Sequence, residues 1–148
     1  WSRTPKKVAG IQGFSGAEGL PNVLANSDYL VCLLPLTPET EDLLRLQNLR
    51  QMKTGAYLIN VGRGSHLVDE DLICVLDEGY LHGACLDVFR EEPLPQNHPF
   101  RSHGKILVTP HNSSSTPAYS VAPQILGNYR RMKTGAELLN QVNLRLGY

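Results

Sequence analysis

Four short apolar runs, spaced between helix-like or loop stretches, limit what this chain can fold into. They are "DYLVCLLPL" (28–36), "AYLINVG" (56–62), "GACLDVF" (83–89) and "KILVTPH" (105–111). The first is nearly continuous in apolar residues, as a strand covered on both faces should be. Between the first two lies "PETEDLLRLQNLRQM", with Leu43, Leu46 and Leu49 at helical intervals and acids in its first turn, which predicts a helix. "DEDLICVLDEG" predicts a second helix closed by Gly79, and a longer one is predicted over 117–133. Strands alternating with helices imply βαβ units: an α/β fold with a parallel, doubly wound sheet and helices on both faces.

In open parallel sheets, ligands sit at the carboxyl ends of the strands. The unusual polar residues of this chain cluster there: Pro35 and Thr37, Arg63, Asp87 with Glu92, and His111. Each follows a different strand, and all should converge on one crevice. Arg63 stands between Gly62 and Gly64, two residues that let a backbone approach something closely. Taken alone, Arg63 is an ordinary loop arginine and Glu92, beside Glu91, an ordinary acidic-loop residue. His66, His82, His98 and His103 lack metal-ligand spacing and read as loop or surface histidines, so no metal is expected.

Composition excludes several classes. The 148 residues carry 14 basic and 14 acidic side chains, so no electrostatic footprint for nucleic acid or an anionic membrane is visible. The longest apolar stretch is far too short to span a bilayer, and a soluble, cytoplasmic protein is expected. Cys32, Cys74 and Cys85 sit in apolar segments without CxxC spacing and read as buried, reduced core thiols. There are no internal repeats or low-complexity tracts. The start on Trp1 reads as mid-domain, with "WSRT" as the tail of a strand and "NQVNLRLGY" as a tail that packs on something else.

Three spaced motifs, "NVGRGSHLVDEDL", "GACLDVFREEPLP" and "ILVTPHNSSST", together with "LLPLTPET", resemble the D-isomer-specific 2-hydroxyacid dehydrogenases over nearly the whole chain. "WSRT", "TGAYLIN" and the terminal "RLGY" resemble the glyoxylate/hydroxypyruvate reductase A branch of that family. The resemblance implies a Rossmann-type domain and reduction of a small 2-oxo acid with hydride from a nicotinamide nucleotide. It places Arg63, Glu92 and His111 as catalytic residues: Arg63 gripping the substrate carboxylate, His111 as general acid and Glu92 orienting the imidazole. It places Leu34, Pro35 and Thr37 against the adenosine half of the nucleotide, Val61 and Gly62 against the nicotinamide half, and Asp87 near the carboxamide.

A Rossmann site that prefers NAD ends its second strand with an acid for the ribose 2′-hydroxyl. Here "WSRTPKK" stands at that position, and Ser2, Arg3, Thr4 and Lys6 offer donors and positive charge for a 2′-phosphate. NADPH is therefore expected over NADH. Two departures from the family pattern stand out. Asn112 and the serines after His111 replace small glycines or alanines, and no GxGxxG phosphate turn is found, since "GIQGFSGAEG" follows no strong strand. The reading that follows is an incomplete Rossmann sheet: a partial dinucleotide-binding domain over 1–114, with a helix and tail over 115–148 that pack on a substrate domain not contained in these residues. The isolated span is expected to be inactive, the intact enzyme a homodimer. A nucleotide-binding or co-repressor-like relative without catalysis, or a truncated product, remains open on the sequence.

Overall fold

A computed structural model describes residues 1–144. Its backbone divides into two compact units, Trp1–His111 and Asn112–Tyr148. In the first, α1 (Gly16–Asn26) precedes β1 (Tyr29–Cys32); α2 (Leu46–Leu49) leads to β2 (Tyr57–Asn60); α3 (Asp69–Asp77) leads to β3 (Gly83–Leu86); and β4 (Ile106–Val108) ends it. All four apolar runs form strands, and they pair in parallel in sequence order. The register sets Cys32, Asn60, Leu86 and Val108 in one row across the sheet. The loops after the four strands therefore leave from the same edge. The second unit is built on α4 (Ala118–Thr134), closed by left-handed Gly135, with Asn128 bonded to both the N–H and the carbonyl of Leu139. The "RLGY" ending falls on residues 145–148, outside those described.

Side chains alternate across a strand, and the two faces of this sheet differ. Leu58, Ala84 and Leu86 turn to a buried cluster that includes Leu72, Val75 and Leu76 of α3 and Leu49 of α2. Tyr29, Val31 and Leu107 face the other way and are exposed. Within Trp1–His111 helices thus cover one face, where the sequence suggested both. The reason is topological. With strands added in sequence order, right-handed crossovers bring every connecting helix to the same side. On the open face Tyr29 stacks on Tyr57 with ring centroids 5.3 Å apart. Cys85 also lies only part-buried, as does Cys74, so of the three free thiols only Cys32 is the core residue expected of all of them.

The stretch after β1 departs most from expectation. Only Leu46–Leu49 is helical in "PETEDLLRLQNLRQM". Upstream, the Thr40 hydroxyl accepts from the Thr37 N–H at 2.8 Å and donates to the Pro35 carbonyl at 2.8 Å, closing a side-chain turn in place of a helical one. Asp42 adopts a left-handed φ of 52°. Leu44 then spends both backbone groups on a parallel bridge to the segment after β2, donating to His66 O and accepting from Val68 N–H. Conversely, α1 was not anticipated: glycines and the internal Pro21 give it poor intrinsic propensity. Its packing beside α2 holds it in place. "WSRT" bridges to the start of α1 through Ser2 and Ser15.

Leu86 is fully buried at the centre of this cluster. Leu86→Ala is expected to cost about 2–5 kcal/mol through lost contacts and a residual cavity, measured as a shift in denaturant midpoint at unchanged slope.

Candidate active site

Each strand delivers one segment to the carboxyl edge of the sheet. After β2 the chain turns at Val61 and Gly62, places Arg63 in extended conformation, and enters a 3-10 turn over Gly64–His66. Asn60, fully buried, holds this turn: its Oδ1 accepts from the Gly62 N–H at 3.2 Å and its Nδ2 donates to the Arg63 carbonyl at 3.1 Å. The Arg63 guanidinium is exposed and donates to the Gly62 carbonyl at 2.7 Å.

After β3 the chain is buried through Asp87, Val88 and Phe89 and emerges at Arg90, two residues before the exposed Glu92. Asp87 is 1 % exposed, takes the Asn60 carbonyl on its N–H and receives the Thr109 hydroxyl on its carboxylate. It ties the ends of β2, β3 and β4 together.

Glu92 uses its two oxygens differently. Oε1 accepts from the Phe89 N–H at 2.9 Å, and Oε2 lies 2.7 Å from Nδ1 of His111. The hydrogen bond with His111, then that from Phe89, hold the Glu92 carboxyl below its usual range, against a smaller opposing effect of burial; the charges of His111 and Arg63 add to the lowering. The three residues proposed as catalytic on sequence grounds therefore stand in one electrostatic neighbourhood. His111 itself sits at a left-handed φ of 51°, uncommon for a residue with a side chain. With Nδ1 turned to Glu92, Nε2 is the ring nitrogen left to serve a substrate.

The glycines flanking Arg63 also permit close packing within the protein. A Cβ on Gly64 would lie 1.9 Å from the Phe89 carbonyl carbon and 2.4 Å from the Arg90 nitrogen. A Cβ on Gly62 would lie 3.1 Å from the His66 ring and 3.2 Å from the Leu34 carbonyl. At both positions a neighbouring loop of the protein comes within the space a side chain would need. Sequence reasoning also missed His66, read as a loop or surface residue and in fact fully buried. The tight Gly-Arg-Gly turn was the available signal, since its small residues leave room for a ring to pack beneath. His98 and His103 pair with Asp69 and Asp77, and His82 packs on Tyr57.

After β1, Leu34 is part-buried, Pro35 exposed and Thr37 buried within its turn. The Thr37 hydroxyl lowers the exposed Glu39 carboxyl, and Arg3 contributes more weakly to the same shift. Arg3, Thr4 and Lys6 are exposed, and the Ser2 hydroxyl donates to the Thr4 carbonyl at 2.8 Å. Among the described residues no cluster of metal-ligating side chains exists, and no helix is long and apolar enough to cross a membrane.

The Glu92 carboxyl is expected to titrate below the ordinary glutamate range in a ¹³C NMR titration. His111→Ala should raise it. Because the folded value is depressed, the stabilisation from this pair is present above the unfolded value and lost as pH falls through the folded one.

Comparison with known proteins agrees with this fold. Residues 1–113 match the family model for "D-isomer specific 2-hydroxyacid dehydrogenase, NAD binding domain". The chain is 45 % identical, over all 148 residues, to a glyoxylate/hydroxypyruvate reductase A from Photorhabdus laumondii, and spans 47 % of that protein. It superimposes with a TM-score of 0.97 on a D-isomer specific 2-hydroxyacid dehydrogenase from Xanthobacter autotrophicus solved with NADPH and MES, at 45 % identity, covering all of this chain and 61 % of that one. A TM-score of 0.94 relates it, at 33 % identity, to an NADPH-dependent glyoxylate/hydroxypyruvate reductase from Sinorhizobium meliloti solved with NADP and sulfate, covering all of this chain and 48 % of that one. The chain spans about half the length of the curated relatives it matches. By its sequence, its parallel sheet and the match over residues 1–113, the chain belongs to the D-isomer specific 2-hydroxyacid dehydrogenase family.

Proposed function

We propose that this chain carries the nucleotide site and the proton-transfer group of an NADPH-dependent reductase that converts a small 2-oxo acid, glyoxylate or hydroxypyruvate, to the 2-hydroxy acid. The observation that carries the reading is the 2.7 Å contact of His111 Nδ1 with Glu92 Oε2, beside Arg63. A carboxylate behind an imidazole favours the imidazolium and fixes its orientation. His111 then gives a proton from Nε2 to the substrate oxygen as the carbonyl becomes an alkoxide. Arg63, on a turn whose backbone is held by Asn60, has a planar fork suited to the substrate carboxylate. Its exposed guanidinium can leave the Gly62 carbonyl for that partner.

The residues present fit a phosphorylated nicotinamide nucleotide. Residues 1–7 contain no acid that would repel a 2′-phosphate, and Arg3, Thr4 and Lys6 are exposed cations and donors. Ser2 adds a hydroxyl to the same group. Leu34, Pro35 and Thr37 would line the adenosine side, Val61 and Gly62 the nicotinamide side. Asp87, buried at the strand ends, would support the carboxamide region. The solved relatives that carry NADPH or NADP support the same choice. Such a nucleotide, when bound, supplies the hydride that this chain's own side chains cannot.

The test is NADPH oxidation, followed by absorbance, with the intact protein and either 2-oxo acid. His111→Ala should lower kcat by about 10²–10⁴-fold, the usual weight of a general acid, while NADPH affinity survives. Arg3→Ala should weaken NADPH about ten- to a hundredfold, as loss of a charge-assisted hydrogen bond implies, and leave NADH nearly unchanged. NADPH binding without turnover by the wild type would replace this reading with a binding role.

A further inference from the structure

His66 is the one fully buried histidine of the chain's described residues, and the mechanism above does not use it. Its Nδ1 lies 3.1 Å from the backbone nitrogen of Arg63, and its Nε2 lies 3.3 Å from the carbonyl of Pro35. The chemistry of the two partners fixes the ring. A backbone N–H can only donate, so Nδ1 must be the bare nitrogen; a carbonyl can only accept, so Nε2 must carry the proton. The imidazole is neutral and of one tautomer, and it joins two loops. One carries Arg63, the candidate grip on the substrate. The other, residues 33–37, is the candidate cover of the nucleotide.

The surroundings leave the ring little alternative. Gly62 passes over it so closely that an added Cβ would lie 3.1 Å from Cε1 and Nδ1. The 3-10 turn that carries His66 is itself pinned, since His66 O accepts from the Leu44 N–H at 2.8 Å. With Asn60 on the Arg63 carbonyl and His66 on the Arg63 N–H, both backbone groups of Arg63 are taken by fully buried side chains. The backbone is fixed and only the guanidinium is free to move.

We propose that His66 is a positioning residue that couples the substrate-gripping arginine to the nucleotide-covering loop, as a neutral imidazole protonated on Nε2. The assignment of the two loops rests on the function proposed above; the tautomer and the bridge do not. Three substitutions in the intact protein separate the two ends of the bridge. His66→Phe keeps the ring shape and removes both hydrogen bonds. His66→Asn places Oδ1 where Nδ1 stood, keeping the acceptor for Arg63, and cannot reach Pro35. His66→Gln places Nε2 near the original Nε2, keeping the donor to Pro35, and leaves the Arg63 N–H without an acceptor.

The phenylalanine variant should lose about ten- to a hundredfold in kcat/KM for the 2-oxo acid, the cost of a misplaced group and an unsatisfied buried partner. The other two should cross. His66→Asn should recover most of the 2-oxo-acid kcat/KM and keep a raised KM for NADPH; His66→Gln should keep the NADPH KM and lose the 2-oxo-acid kcat/KM. A merely structural histidine would move both parameters together. Equal behaviour of the Asn and Gln variants, or an unchanged Phe variant, overturns the coupling; if the Phe variant does not fold, the Asn and Gln pair still decides. A ¹⁵N correlation spectrum of the wild-type imidazole reads the tautomer without turnover. A proton on Nε2 alone supports the bridge, and a proton on Nδ1 overturns it. A wild type that reduces no 2-oxo acid defeats the proposed function, and the tautomer and the variants' NADPH affinities then judge His66 separately.

Discussion

The in-step pairing of four parallel strands is the constraint on which everything else rests. Cys32, Asn60, Leu86 and Val108 form one row, so the segments that follow them begin level with one another at one edge. A one-residue slip in any pair would invert that strand's side chains between the core and the open face. It would also carry its loop out of line. The burial of Leu58 and Leu86 against α3 therefore sets the relative positions of Arg63, Glu92 and His111.

On that platform, short local contacts complete the geometry. Asp87 and Asn60 connect adjacent strand ends through backbone and side-chain bonds. Glu92 folds one oxygen back to Phe89 and offers the other to His111. The backbone carrying the candidate groups is fixed by buried neighbours, while the groups themselves reach solvent. Such a division suits a site whose framework must not relax when a ligand arrives, but whose charged tips must exchange water for substrate.

Legibility from sequence followed the physics of each element. The strands were plain because their apolar runs are nearly unbroken, even though Tyr29, Val31 and Leu107 lie exposed on one face of the sheet. The candidate triad was legible because four motifs in order fix a family register, and the structure brings two of its members into direct contact. The helix read after β1 was mostly wrong, because leucine spacing is blind to hydroxyls such as that of Thr40, which satisfy the backbone another way. α1 was hidden by its glycines and Pro21, and tertiary packing overrode their poor propensity. His66 was missed because a histidine's burial depends on what lies above it in space, and a linear spacing rule for metal ligands asks the wrong question of it. The one-sided helical cover was implicit in the strand order, which no single segment reveals.

Gly64 has a consequence for how this region can vary. Its missing side chain is occupied by the backbone of Phe89 and Arg90, and any other amino acid would drive a carbon into a carbonyl group rather than into a movable side chain. The position is closed to gradual drift. A descendant that replaced this glycine would first have to displace the segment bearing Glu92, and with it the carboxylate behind His111. The arginine turn and the acid–histidine pair are therefore packed as one unit, and a side chain at this glycine would disturb both at once.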